Sequence, residues 1–435
     1  MTTEHPRLLV VSSAPMGGIG GTAITLENLF GNWPAGRLGQ IHTIEGANGG
    51  LPELDYFYSP RNAPVDFCVR RLLSHGGSSL VSGAPSSPGV PVRRGGQTAR
   101  ARMHSQMRAL ADISFTRMPG DLVAWVRAFE PDLVYSLLGN VRMMRLATAV
   151  SELADVPLVP HFMDDWPTTL YSGGELLGRA KAAVDSSMRN VLRRAPIGLA
   201  ISDAMSEDYS RRFGIDFATF GNSVDPATME SDRVPIAPCS AGVLDFVYVG
   251  GLHLERWRSL MILSDCLKEL NEAGPIARLV VYAPRADLEQ FGGVLDNAPC
   301  VHIGGSLEPK DVPGAIAAAD VLVHVESFDQ QIRQFTRLSL STKVPQYLAA
   351  GRPILAVGPG EAASMRHIAS IGAGVVVSSS DPASLCDAIA RLCAAPELRE
   401  ELGRRGALYA AAKYRRDVVR RELAGVLRDA AAGPV

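Results

Sequence analysis

The feature that most restricts the fold is a repeated unit in which a short apolar run ends in polar or glycine residues and a helix-period segment follows. It is clearest over residues 321–357. An apolar run at 321–325 reads as a buried strand that stops at Glu326, and a polar loop carrying Arg333 and Arg337 follows. Ser341 and Thr342 can cap a short helix over 343–350, because a hydroxyl there accepts the free amides of the first turn. Gly351 supplies a left-handed stop, and Pro353, just after Arg352, opens the next strand at 354–357. Polar groups therefore gather at the carboxyl end of one strand and the amino end of the next helix. In open parallel sheets ligands bind there, and the helix terminus favours an anion.

The same rhythm runs through the chain. A strand at 7–13 leads into Pro15-Met16-Gly17-Gly18-Ile19-Gly20-Gly21 and a helix at 22–33. Glycines there let the backbone approach a bulky ligand and leave helix amides open to it, although a plain tight turn has the same composition. The spacing is neither the dinucleotide fingerprint nor a P-loop. A weak strand is expected at 40–45. Residues 75–101 are rich in Gly, Ser and Pro and read as a flexible surface insertion, with Arg93, Arg94, Arg100, Arg102 and Arg108 in or just after it. These arginines would suit a phosphorylated or lipid-linked acceptor or an anionic membrane face; equally, they suit a solvated loop.

From residue 121 the βα alternation is regular, with strands at 132–137, 156–160 and 197–201 and helices at 121–130, 141–153, 174–194 and 204–213. The strand at 156–160 ends in His161-Phe162-Met163-Asp164-Asp165-Trp166-Pro167. A histidine beside two carboxylates at a strand's carboxyl end makes His161, Asp164 and Asp165 candidates, with helix capping as the structural alternative for the aspartates. A first domain is expected over 1–228. A linker at 229–243 leads to a second domain, 244–412, whose first strand at 244–249 runs into Gly250-Gly251-Leu252-His253-Leu254-Glu255-Arg256-Trp257-Arg258. After 357, Gly358-Pro359-Gly360-Glu361 can offer amides to a phosphate. A final helix lies within 413–435, and its Arg415, Arg416, Arg420 and Arg421 read as a solvated face.

Glu326 at a strand end, followed by Gln346-Tyr347-Leu348-Ala349-Ala350-Gly351-Arg352-Pro353, resembles the retaining glycosyltransferases of family 4. The resemblance implies the glycosyltransferase-B fold: an α/β protein of two doubly wound, Rossmann-like domains facing across a cleft. It further implies that the last helix crosses back to the first domain. By the same likeness Glu326 lies near the donor sugar, and Gln346 stands where the family has a glutamate that holds the nucleotide ribose. The spacing between the two is longer than the family's usual one. His161 falls where the family places a histidine on the donor sugar, and Asn222 lies in a turn that shapes the cleft. The glycine-rich loop, with Gly18, Gly20 and Gly21, falls near the donor diphosphate. Of the family's basic pair, Arg256 can be carried over; Gly251 occupies the other position. Lys343 at a helix start is a further diphosphate candidate, since arginine, lysine and helix amides can stabilise a departing pyrophosphate.

The expected activity is thus transfer of a sugar from a nucleoside-diphosphate sugar, with retention, to a glycan, lipid-linked or small-molecule acceptor. A catalytically inactive scaffold and a nucleotide-sugar epimerase are the alternatives. No cofactor is expected, and in the absence of an Asp-x-Asp motif no essential metal is expected either. At 435 residues the chain exceeds one ordinary core, and 46% hydrophobic with 20% charged residues is a globular balance. A formal net charge of −2 argues against nucleic acid as a partner. Six scattered cysteines without a C-x-x-C pair fit a reducing compartment. No signal sequence and no run of about 18 apolar residues is evident, so a cytoplasmic protein, at most peripheral to the inner face of a membrane, is expected.

Overall fold

The computed structural model describes residues 5–18, 21–44, 54–74, 99–225 and 242–433. It divides into two compact units, Met1–Gly221 with Arg420–Val435, and Asn222–Val419. Each is built on a parallel sheet.

The first unit holds seven strands: β1 (Leu8–Ser12), β2 (Leu38–His42), β3 (Asp55–Phe57), β4 (Leu133–Leu137), β5 (Leu158–Phe162), β6 (Gly198–Ala200) and β7 (Phe217–Thr219). Their order is β3-β2-β1-β4-β5-β6-β7. Every residue of β1, β4 and β5 is buried, as expected for strands covered on both faces by helices. The order reverses between β1 and β4, which places the glycine-rich loop after β1 at the switch point where doubly wound sheets bind ligands.

The second unit holds β8 (Leu244–Val249), β9 (Ala277–Tyr282), β10 (Val301–Gly305), β11 (Val321–Val325), β12 (Ile354–Val357) and β13 (Gly374–Val377), in the order β10-β9-β8-β11-β12-β13. Its switch point lies between β8 and β11, which pair through Val321 with Phe246 and Leu322 with Val247. In the helix Arg256–Leu270, Leu260, Leu263 and Leu267 recur at helical spacing and join a core with Phe246, Leu279 and Ile389. Each fully buried leucine contributes about 1.5–3 kcal/mol by leaving water.

Several sequence expectations shift. The second strand of the first unit is Leu38–His42 rather than 40–45, and β5 runs to Phe162, so His161 lies inside the sheet. The polar loop after Glu326 contains the helix Gln330–Thr336, capped by Asp329 accepting from the amides of Gln331 (3.0 Å) and Ile332 (3.3 Å). Of the insertion, 75–98 lie outside the described residues, with Arg93 and Arg94. Residues 99–101 open the helix Ala99–Ile113, which carries Arg100, Arg102 and Arg108. The helix expected at 174–194 is a 3-10 turn, Glu175–Gly178, followed by Arg179–Arg193, because Leu176 and Leu177 take left-handed conformations.

The division at Gly221/Asn222 precedes the linker read from composition, of which 229–241 lie outside the described residues. The last helix, Arg416–Ala432, starts in the second unit and ends in the first. Its arginines are not simply a solvated face. Arg416 pairs with Asp225 at 2.8 Å, and Arg420 donates to the carbonyls of Asn28 (2.8 Å) and Glu27 (2.7 Å). The last contacts satisfy carbonyls at the end of the helix Gly21–Phe30.

Candidate active site

In the second unit the carboxyl ends of β8 and β11 carry the charged groups. Glu326 extends β11 by one residue, its amide donating to Val357 O at 2.8 Å, and its side chain is 4% exposed. A Cβ at Gly358 would come within 2.8 Å of the Glu326 Cβ, so glycine is what lets the loop after β12 lie against this glutamate. Arg256 Nη2 sits 3.4 and 3.5 Å from the two Glu326 carboxylate oxygens. These distances exceed the 2.7–2.9 Å of a good charge-assisted hydrogen bond, about as loose as an ion pair gets.

His324, two residues before Glu326 and so on the same face of the strand, has Nε2 at 3.5 Å from Glu326 Oε1. Burial, reinforced by Arg256, outweighs the carboxylate and pulls the imidazole down to about 4, so it is neutral near pH 7. Burial pushes the Tyr248 phenol up to about 12, and its hydroxyl donates to Gly251 O at 2.5 Å, fixing the loop ahead of Arg256. The two residues before Arg256, Leu254 and Glu255, both have φ of 59°. Such left-handed conformations are costly for residues with a Cβ and collect at functional sites.

Lys343 immediately precedes the helix Val344–Ala349 and is partly buried. Burial lowers its ammonium below the ordinary range, and among the described residues no carboxylate lies within ion-pair distance. Gln346, on that helix, has a buried Oε1 without a hydrogen-bond partner among the described residues. The helix is tied to the end of β8 by Tyr347, whose hydroxyl accepts from Val249 N (3.0 Å) and donates to Val249 O (3.2 Å). Arg352 is buried, and its Nε donates to Ala317 O at 3.0 Å, a structural role. The loop at Glu361 is held to the helix Gln330–Thr336 by Arg333, whose Nε donates to the carboxylate at 2.8 Å.

In the first unit, Gly18 donates its amide to Pro15 O at 3.2 Å, and a Cβ on it would meet that oxygen at 3.0 Å. Gly20 lies outside the described residues; Gly21 begins the helix Gly21–Phe30. Beneath the loop, Met16 N donates to Gln40 Oε1 (2.8 Å) and Gln40 Nε2 donates to Asp55 Oδ1 (3.2 Å). Asp55 also lies 3.2 Å from His42 Nε2.

His161 is fully buried, with Nε2 donating to Phe220 O at 2.9 Å and Nδ1 accepting from the Tyr135 hydroxyl at 2.7 Å. Both ring nitrogens are committed to the fold, and burial pulls the imidazole down to about 4. Asp165 is 1% exposed and accepts from Arg212 (2.9 Å), Tyr209 (2.9 Å) and Thr168 (2.8 Å), which makes it the centre of a buried network. Its side chain makes no capping bond to the short helix Trp166–Thr169. Asp164 is partly buried beside it. Asn222 is buried and falls in the second unit.

Glu326 and Arg256 are thus in contact, with Lys343 and Gln346 on the connection from β11 to β12. Reading the sequence alone missed His324, Tyr248 and Tyr347. The spacing of His324 two residues from Glu326 was the available signal; the tyrosines read only as core residues.

Two parallel-sheet α/β units of seven and six strands define the glycosyltransferase-B fold, and solved structures agree along nearly the whole chain. Anabaena HepE in complex with UDP is 16% identical, with 97% of this chain and 99% of that one covered and a TM-score of 0.61. A trehalose-phosphate synthase (UDP-forming) from Burkholderia vietnamiensis is 14% identical, covering 97% and 100%, with a TM-score of 0.59. WaaG, a glycosyltransferase involved in lipopolysaccharide biosynthesis, is 14% identical, covering 97% and 99%, with a TM-score of 0.54. Residues 244–395, most of the second unit, match the family model of glycosyl transferases group 1. No curated protein is matched by the sequence.

Proposed function

We propose that this protein transfers a glycosyl group from a nucleoside-diphosphate sugar to a glycan, lipid-linked or small-molecule acceptor, with retention of anomeric configuration. The observation that carries the proposal is the Arg256–Glu326 pair at the switch point of the second sheet. Such a fork of guanidinium donors suits a diphosphate, and a buried carboxylate beside it suits sugar hydroxyls or the positive charge that builds on the ring. Lys343, an ammonium without a carboxylate partner among the described residues, supplies a second cation for the phosphates. Gln346 Oε1 can accept a bond from a ribose hydroxyl. In this reading the leaving diphosphate is neutralised by Arg256 and Lys343 rather than by a divalent ion, and turnover survives a chelator. In the first unit His161 serves the fold by holding Tyr135 and the Phe220 carbonyl. HepE has been solved with UDP-glucose, which makes a uridine donor the first to try.

The test is thermal stability against UDP, GDP, dTDP and ADP, on wild type, Arg256→Ala and Lys343→Ala. A ligand at about a hundred times its dissociation constant adds roughly 2.7 kcal/mol, a rise of about 5–10 °C for a unit of this size. One nucleotide should raise the wild-type midpoint, and each substitution should shrink the rise by weakening affinity about tenfold to a hundredfold. If no nucleotide shifts the wild type, or if both variants respond as it does, the reading fails.

A further inference from the structure

We infer that the protein pairs with a second copy of itself through the free edge of its second sheet, β13 lying antiparallel to β13 about a two-fold axis. Among the described residues β13 is the last strand of that sheet and pairs only with β12. Ile354 N donates to Ala373 O (3.2 Å) and Gly358 N to Val377 O (3.1 Å), so residues 373, 375 and 377 turn their peptide groups inward. Strand alternation then leaves the N–H and C=O of Gly374, Val376 and Ser378 pointing out of the sheet. These groups set the register. With the axis beside Val376, each Val376 exchanges both bonds with its copy, and Gly374 meets Ser378 of the second copy at either end. Between them, Val375 of one copy faces Val377 of the other, on the side that packs against the helix Pro382–Ala394. Such β-branched pairs across strands stabilise a sheet.

This edge lacks the devices that keep a free strand from pairing. Ala373-Gly374-Val375-Val376-Val377-Ser378 contains no charge and no proline, and its register with β12 is unbroken. The opposite edge of the same sheet is different. There β10 shifts register against β9 between Ile303 and Gly305, an irregularity of the kind that turns an edge strand away from a partner. One edge is thus protected and the other is left smooth, apolar and open.

The charges beside the edge fit a second copy in particular. The helix Pro382–Ala394 returns along β13 and packs on both β12 and β13. A groove of about 360 Å³ runs between its outer side and the strand, from Val375–Val377 to Ser384, Asp387 and Arg391. Asp387 and Arg391 are exposed, one helical turn apart, and neither forms an ion pair among the described residues. With strands about 4.8 Å apart and the helix set between β12 and β13, the helices of the two copies lie about 10 Å apart, a normal packing distance. The two-fold axis runs them antiparallel, so Asp387 of each copy meets Arg391 of the other across the groove. One Asp–Arg step is then self-complementary, as an isologous contact requires. The pairing stands without the transferase reading.

Sedimentation equilibrium of the full chain, over about a hundredfold range of concentration, tests the inference. The mass should rise from one chain to two and stop there. Val376→Pro removes an N–H that the fold does not use, and proline is tolerated on an edge strand. It should leave the protein folded and weaken dimerisation about tenfold or more. Asp387→Arg or Arg391→Asp alone should also weaken it about tenfold, by setting like charges against each other, and the two together should restore it. Both charge reversals lie at exposed positions, so they decide the matter without touching the strand. A mass of one chain at every concentration would overturn the inference. So would a dimer that the single reversals leave unchanged or that the double reversal fails to restore. A mass that climbs past two chains would overturn it too, since a two-fold contact closes on itself.

Discussion

Acid should destabilise the first unit through one side chain. His161 has its imidazole pulled from 6.5 to about 4 by burial, so in the fold it stays neutral where an unfolded chain would already bind a proton. Below pH 6.5 the unfolded state therefore carries more protons than the native state, and stability falls with falling pH. The contribution is fully present above 6.5, is lost progressively down to about 4, and changes no further below that. A span of about 2.5 units at 1.36 kcal/mol each gives a loss of roughly 3 kcal/mol. His161→Gln is the informative change, because an amide can still donate to Phe220 O and accept from the Tyr135 hydroxyl but does not titrate. Urea unfolding from pH 8 to pH 4 reads the effect. In a Trp257→Phe background the remaining tryptophans, Trp33, Trp125 and Trp166, all report the first unit. The variant should start less stable at pH 8 and lose less on acidification, so that the gap narrows by about 3 kcal/mol. Parallel stability curves would show that the imidazole takes up its proton in the fold as readily as in water, and the burial argument would be wrong.

Gly358→Ala should place a methyl against the Glu326 Cβ, 2.8 Å away, costing about 1–3 kcal/mol and lowering kcat more than it raises KM; unfolding and steady-state kinetics with a turned-over donor check both. Asp165→Ala should destabilise by about 3–5 kcal/mol, because Arg212 and the Tyr209 hydroxyl lose the buried carboxylate between them, and urea melts followed by the same three tryptophans measure it. Gln346→Glu should hold or tighten nucleotide binding, since a carboxylate accepts a ribose hydroxyl about twice as strongly as an amide does; a marked rise in Kd by titration calorimetry would remove Gln346 from the ribose pocket.

The repeating strand-and-helix pattern was legible because these strands are buried on both faces and therefore appear as unbroken apolar runs. Glu326 and Lys343 could be nominated because one ends such a run and the other stands at the helix start that follows, whereas Arg256 came from the likeness to the family's basic pair. The use of His161 was harder to read. Its place one residue inside β5, rather than in the loop beyond, depends on where Tyr135 and Phe220 come to lie, and both are distant in sequence. Asp165 read as a site candidate or a helix cap, but Arg212 and Tyr209 on the helix Asp203–Phe213 claim it. The helix Gln330–Thr336 was hidden because its sequence is mostly polar and only seven residues long. Short helices of that kind are stabilised by capping and packing rather than by an apolar stripe.

The loose Arg256–Glu326 pair has a consequence for how a donor would be recognised. At 3.4 Å and an effective dielectric of about 20, two unit charges attract by roughly 5 kcal/mol before desolvation is subtracted. A diphosphate that draws the guanidinium to itself leaves the Glu326 carboxylate, 4% exposed, with a weaker counter-charge. His324 cannot replace it, because that imidazole is neutral near pH 7. Sugar hydroxyls donating to Glu326 would restore what the arginine withdraws. A nucleotide sugar should therefore bind more tightly than the bare nucleoside diphosphate, although its phosphate carries less charge. In Glu326→Gln, where no carboxylate is stranded, that preference should vanish, and the nucleoside diphosphate itself should bind at least as well as it does to wild type. Paired calorimetric titrations of the two ligands on the two proteins decide the matter. Equal discrimination in both would mean that Arg256 serves the phosphate without leaving Glu326.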